Sequence, residues 1–140
     1  MSDLIKTSKI LNSKECVALS AKSISQKIKT RTAHVGDNLP IRRALPHQDR
    51  KMIGAWCFLD HFGPLNLLNS KGLHVGPHPH IGLQTFTYLL DGEILHRDSL
   101  GSKQKIQPSQ VNLMTAGKGI SHAEESLPSV NLHGVQLWIA

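Results

Sequence analysis

Apolar residues recur at every second position along much of this chain and hardly anywhere at helical spacing. The run Met52 to Phe62 (MIGAWCFLDHF) mixes aliphatic and aromatic residues and reads as a buried strand. Gly63-Pro64 should end it, with loop over residues 65–77. Upstream, Asn38-Leu39-Pro40 and Leu45-Pro46-His47 punctuate a short strand, Ile41 to Leu45. Downstream, Ile81 to Leu90 is rich in β-branched and aromatic residues and predicts another strand. Asp91-Gly92 is the strongest short hairpin signal, so Glu93 to Leu100 is expected to return as its partner. Gly101-Ser102 turns the chain into Lys103 to Gln107, and Pro108-Ser109 leads into Val111 to Thr115. Residues 116–121 (AGKGIS) form a glycine-rich loop, and His133 to Ala140 (HGVQLWIA) is a last strand. Ser20 to Lys29 fits a short helix, and Ser23 to Thr30 fits an extended strand equally well. Many short strands at this spacing predict an all-β fold, an antiparallel sandwich or barrel.

The last strand alternates Val135, Leu137 and Ile139 with Gln136, Trp138 and Ala140, and the chain stops inside it. A bare strand of this kind asks for something to cover its edge. The expectation is half of a larger architecture, or a unit that forms a homodimer.

Composition narrows the class. The 140 residues suffice for one domain with a real core, and a 39% apolar content suits an ordinary globular chain. No apolar run approaches the roughly 20 residues that span a bilayer. The N-terminus scatters lysines and lacks a compact apolar block, which makes it a poor signal peptide and favours the cytoplasm. Cys16 and Cys57 read as two free thiols. The net charge of +6 is uneven. Residues 1–31 hold seven Lys/Arg against Asp3 and Glu15, giving +5; residues 32–140 hold nine against eight, giving +1. A basic segment (residues 1–37) therefore precedes a nearly neutral domain (residues 38–140). The segment lacks the aromatic interleaving of a base-stacking surface and any nucleic-acid module. It reads as a solvated polar arm able to dock an acidic partner.

The candidate chemistry lies in the histidines. His78 and His80 flank one proline, and residues two apart on a strand share a face. His122 and Glu124, in SHAEES, repeat that spacing. Either pair alone reads as a surface turn. Two such pairs in one small β-domain favour a metal site if the segments lie side by side. Three imidazoles and a carboxylate suit Fe(II), with Mn, Ni, Cu or Zn as alternatives. His74 and His96 read as solvent-facing, with orienting partners of the ligands as the alternative. His61 reads as structural, while His34, His47 and His133 carry no pattern. Gly117-Lys118-Gly119 lacks the rest of a phosphate loop. Ser121 and His122 are strand neighbours that point opposite ways, so they make no nucleophile–base pair. Trp56 and Trp138 read as core.

The stretches RRALP (42–46), FLDHFGP (58–64), HPHIGLQTFTYLLDGEILHRDSLGS (78–102), MTAGKGISHAE (114–124) and HGVQLWIA (133–140) resemble, in order, the pirin family of the cupin superfamily. The likeness covers about residues 38–140. It implies a cupin jelly-roll barrel and a mononuclear iron held by His78, His80, His122 and Glu124. Pirins look like two such barrels in one chain, and this chain resembles the N-terminal, metal-binding one. Many pirins carry Arg and Glu where this chain has Ile81 and Gln84, and a glycine or acid where it has Gln110. Gln84 falls roughly where other cupins place a ligand or base glutamate. The resemblance implies two functions. One is a quercetinase-like dioxygenase acting on a small aromatic substrate, with Glu124 as ligand and transient base and Phe86, Tyr88 and Met114 lining the barrel mouth. The other is an iron-dependent, redox-sensitive regulator contacting transcription factors or metabolic enzymes. A metal-binding relic that does neither job is the third expectation.

Overall fold

The computed structural model describes residues 26–68, 72–126 and 131–140. Among these, every helix or strand is a strand: β1 (Arg31–Val35), β2 (Leu39–Leu45), β3 (Trp56–Asn66), β4 (His74–His80), β5 (Gln84–Asp91), β6 (Ile94–Asp98), β7 (Lys103–Ile106), β8 (Val111–Thr115), β9 (Ile120–Ser126) and β10 (Asn131–Ile139). The element expected near residues 20–30 lies mostly outside the described residues, and residues 26–30 hold no regular structure.

The strands form two sheets with the spatial orders β1-β2-β3-β10-β5-β8 and β4-β9-β6-β7. Every neighbouring pair is antiparallel. One core cluster joins the sheets: Ile41, Phe62, Leu89 and Leu132 from the first, Ile94 and Ile106 from the second. Leu89 and Leu132 are fully buried, and each such side chain contributes roughly 1.5–3 kcal/mol relative to exposure.

The structure corrects four expectations about these elements. Asp91-Gly92 does not close a two-stranded hairpin. β5 pairs with β10 and β8, β6 with β9 and β7, so this turn carries the chain from one sheet to the other. Gly92 makes the crossing with φ of +87°, and a Cβ there would run into the Asn131 carbonyl.

Gly63-Pro64 does not end β3. The ladder skips from Phe62 to Leu65 opposite β10, so both residues sit in a bulge where no proline N–H is needed. Residues 65–77 are not all loop, because β4 begins at His74. Its sequence, HVGPHPH, has little strand character. Its place at the edge of the four-stranded sheet tolerates the two prolines, and pairing with β9 supplies the order.

The last strand, finally, is not a bare edge. β10 lies between β3 and β5, so the reason for expecting a covering partner there is removed. Gly134 lets β10 fit: a Cβ would stand 2.7 Å from both the Phe62 ring and the Tyr88 carbonyl oxygen.

Candidate metal centre

The inward positions of each strand turn from apolar to polar along one direction. On β3 Phe62 gives way to Asp60, on β5 Leu89 to Thr87, on β10 Leu132 to Gln136, and on β6 Ile94 to His96. All but Gln136 are buried. The period of two carries one face of each strand from core to site.

The two sequence pairs do meet. β4 lies beside β9 with His78 opposite His122, and β9 alternates so that Ile120, His122, Glu124 and Ser126 are all buried. The His78 and His122 ring centroids are 4.4 Å apart, those of His80 and His122 4.9 Å. Ring nitrogens of His78, His80 and His122 lie within 4.8 Å of one another. Glu124 shares an adjoining cluster with His122 and His96 rather than with all three.

Local hydrogen bonds orient these groups. His78 Nδ1 is 2.9 Å from the Gly76 carbonyl oxygen, which can only accept, so Nδ1 donates there and Nε2 is the nitrogen left for a metal. His80 Nε2 and His122 Nε2 are 3.0 Å apart. Gln136 Nε2 donates to Glu124 Oε2 at 3.1 Å, and the Thr87 hydroxyl to Oε1 at 3.4 Å.

Electrostatics disfavour the charged forms of His122 and His80. Burial pushes His122 down to about 3, and His78, His96 and His80 push the same way against Asp98. Burial, and after it the neighbouring His78 ring, also lowers His80. Burial raises the Glu124 carboxyl, against the Gln136 hydrogen bond. Three imidazoles with converging ring nitrogens, beside a buried carboxyl, form a donor set that fits a divalent first-row cation.

A cavity of about 330 Å³ opens beside this cluster, lined by His78, Glu124, Gln136, Thr87, Trp138 and Arg43 among others. Arg43 Nε and Nη2 donate to both Asp60 oxygens at 2.8 and 2.7 Å. That hydrogen bond raises the Arg43 pKa above its ordinary value, against burial. The guanidinium lies 4.5 Å over the Phe58 ring. Phe58 stacks on Trp138 with centroids 4.0 Å apart, and Trp138 stands edge-on to His80 at 5.0 Å. Trp138 thus lines the cavity as well as packing within the sheet.

Several site expectations change. Phe86 and Tyr88 do not line the cavity: they alternate with buried Thr85 and Thr87 and face outward. Met114 packs with Ala116 and Ile120 in a separate cluster. Gln84 also faces outward, where its amide donates to Thr115 Oγ1 at 2.8 Å. His96 is not solvent-facing but 2% exposed, with Nδ1 3.3 Å from His122 Nδ1 and Nε2 3.4 Å from Asp98 Oδ2. His74 is exposed. His61 and His133 pair with their Nε2 atoms 3.0 Å apart. Sequence reasoning missed Gln136, whose one signal was a lone amide inside an apolar strand.

The two-sheet antiparallel fold, with histidines gathered on the inner face, is that of a cupin jelly roll. The Pirin family model matches residues 38–139, and the chain belongs to the pirin family. It is 59% identical over 116 residues to "Putative quercetin 2,3-dioxygenase" of Pseudomonas aeruginosa, a match covering 82% of this chain and 37% of that protein. A crystal structure of quercetin 2,3-dioxygenase from Acinetobacter baumannii superposes with a TM-score of 0.80 at 57% identity, covering 82% of this chain and 39% of that one. A bacterial pirin from Escherichia coli, solved in complex with nickel(II), matches with a TM-score of 0.62 at 27% identity over 79% of this chain and 48% of that one. The chain spans less than half the length of these relatives.

Proposed function

We propose that this chain holds a divalent metal, iron(II) by preference, through His78, His80 and His122, with Glu124 as fourth ligand. We further propose that it serves a quercetinase-like oxygenation of a small aromatic substrate. The observation that carries this reading is the convergence of three imidazoles beside a largely apolar cavity. The names borne by the similar Pseudomonas and Acinetobacter proteins support the substrate class.

When bound, the metal would supply a Lewis acid and a meeting point for substrate oxygen and O₂. The chain's own residues do the rest. Gly76 and the buried ring contacts hold the three imidazoles in position. Glu124, raised by burial, is poised to take a proton from a substrate hydroxyl, and Gln136 stabilises its charged form. Ile41, Phe58, Phe62 and Val75 make much of the cavity wall apolar, as suits an aromatic substrate.

Anaerobic Fe(II) loading followed by quercetin and O₂ tests the proposal, with His80→Ala as control. Turnover by wild type alone is expected. Stoichiometric iron without turnover would overturn the flavonol oxygenase reading and leave the regulatory one in its place.

A further inference from the structure

The two ring nitrogens of His122 face different neighbours. Nε2 is 3.0 Å from His80 Nε2, and Nδ1 is 3.3 Å from His96 Nδ1. His96 continues through Nε2 to Asp98 Oδ2 at 3.4 Å. The other Asp98 oxygen, Oδ1, accepts the backbone N–H groups of Leu100 at 2.9 Å and Ser102 at 3.0 Å. β6 carries both residues beside β9, with Asp98 opposite His122 and His96 opposite Glu124.

We infer that Asp98, acting through His96, is a positioning residue that fixes the tautomer of His122 and so leaves its Nε2 lone pair free for a metal. The inference rests on the reading of His122 as a ligand through Nε2. Counting hydrogens along the chain gives the result. A carboxylate only accepts, so His96 Nε2 carries the proton and donates to Asp98. With its one ring proton on Nε2, His96 leaves Nδ1 bare to accept from His122. His122 therefore carries its proton on Nδ1, and its Nε2 faces His80 and His78 unprotonated. Orientation of a ligand imidazole by an outer carboxylate is a general device, here lengthened by one histidine.

The turn makes the logic testable with one atom. In Asp98→Asn, the Leu100 and Ser102 N–H groups still demand an oxygen at the Oδ1 place. The amide nitrogen must then occupy the Oδ2 place and donate to His96 Nε2. His96 shifts its proton to Nδ1, His122 Nδ1 must accept, and the His122 proton moves to Nε2, where a metal would bind. Asp98→Ala behaves differently. It removes the acceptor and both turn hydrogen bonds, so it loosens the fold but leaves the tautomer free to adjust.

The experiment measures Zn(II) affinity by chelator competition and thermal stability for wild type, Asp98→Asn and Asp98→Ala. In parallel, the histidine ¹⁵N shifts of the metal-free chain report tautomers. Zn(II) affinity is expected to fall about 10–100-fold in the Asn variant and less in the Ala variant. Stability should rank the other way, with Ala the less stable. The His122 ¹⁵N shifts should move from the Nδ1–H to the Nε2–H pattern in the Asn variant, a readout that stands even if the Ala variant fails to fold. Affinities that simply follow stability, or an unchanged His122 tautomer, would overturn the inference. So would His96→Ala losing metal as completely as His80→Ala, since that would make His96 a ligand. Wild type that binds no Zn(II) yet shows Nδ1–H at His122 would count against the ligand reading alone.

Discussion

His80 and His122 face each other across β4 and β9 with Nε2 atoms 3.0 Å apart. His61 and His133 do the same across β3 and β10, also at 3.0 Å. Distance does not separate the pairs; the neighbour at the far nitrogen does. Behind His122 stand His96 and a carboxylate, which leave Nε2 bare. Behind His61 stands Arg42, whose Nη2 is 2.8 Å from His61 Nδ1. A guanidinium can only donate, so His61 Nδ1 accepts and its proton sits on Nε2, pointing at His133. The inner pair, with His78, can gather around a cation. The outer pair is a hydrogen bond. Two imidazoles at van der Waals range are thus no metal site until their far sides have been read.

The sharpest way to break this comparison is to delete one ring from each pair. His80→Ala is expected to abolish stoichiometric metal, while His133→Ala leaves it unchanged, as elemental analysis of untagged protein would show. Equal losses would mean that the outer pair also binds.

Neighbouring arginines extend the contrast to stability. Arg43→Met leaves the buried Asp60 carboxylate without its partner and should cost about 3–5 kcal/mol in urea unfolding. Arg42→Met, at the outer pair, should cost less than about 1 kcal/mol.

Acid sharpens the inner side. His122 has a folded pKa of about 3, below the ordinary 6.5, so the unfolded chain takes up a proton that the folded one refuses. Stability is therefore present above about pH 6.5 and is lost as pH falls toward 3, by about 3 kcal/mol at pH 4. His80 adds to this loss. Glu124, raised in the fold, partly opposes it, because its contribution grows as pH falls. Melting of metal-free protein from pH 7 to 4 measures the sum; His122→Asn should flatten the profile, and an unchanged slope would refute the assignment.

The smallest effect belongs to the outer pair. Burial, then Arg42 and His133, lowers the His61 pKa. Arg42→Met should raise it, as read by NMR titration, without touching metal content.

The sequence by itself determined most of the strands and the two same-face pairs proposed as ligands. Alternation placed His78 with His80 and His122 with Glu124, and β4 and β9 did come to lie side by side. What alternation cannot say is which face of a strand turns inward. Val135, Leu137 and Ile139 look like the buried set of β10, yet it is Gln136 and Trp138 that line the cavity. Phe86 and Tyr88 misled in the same way beside Thr85 and Thr87. Nor does a local turn signal choose a sheet: Asp91-Gly92 bends the chain but sends β5 and β6 to different partners. The burial of His96, its contact with His122 and the opposite roles of the two histidine pairs all depend on residues far apart in the chain. A period of two fixes which side chains share a face. Only the packing of one sheet on the other decides which face loses its water, and with it which imidazoles stay neutral and converge.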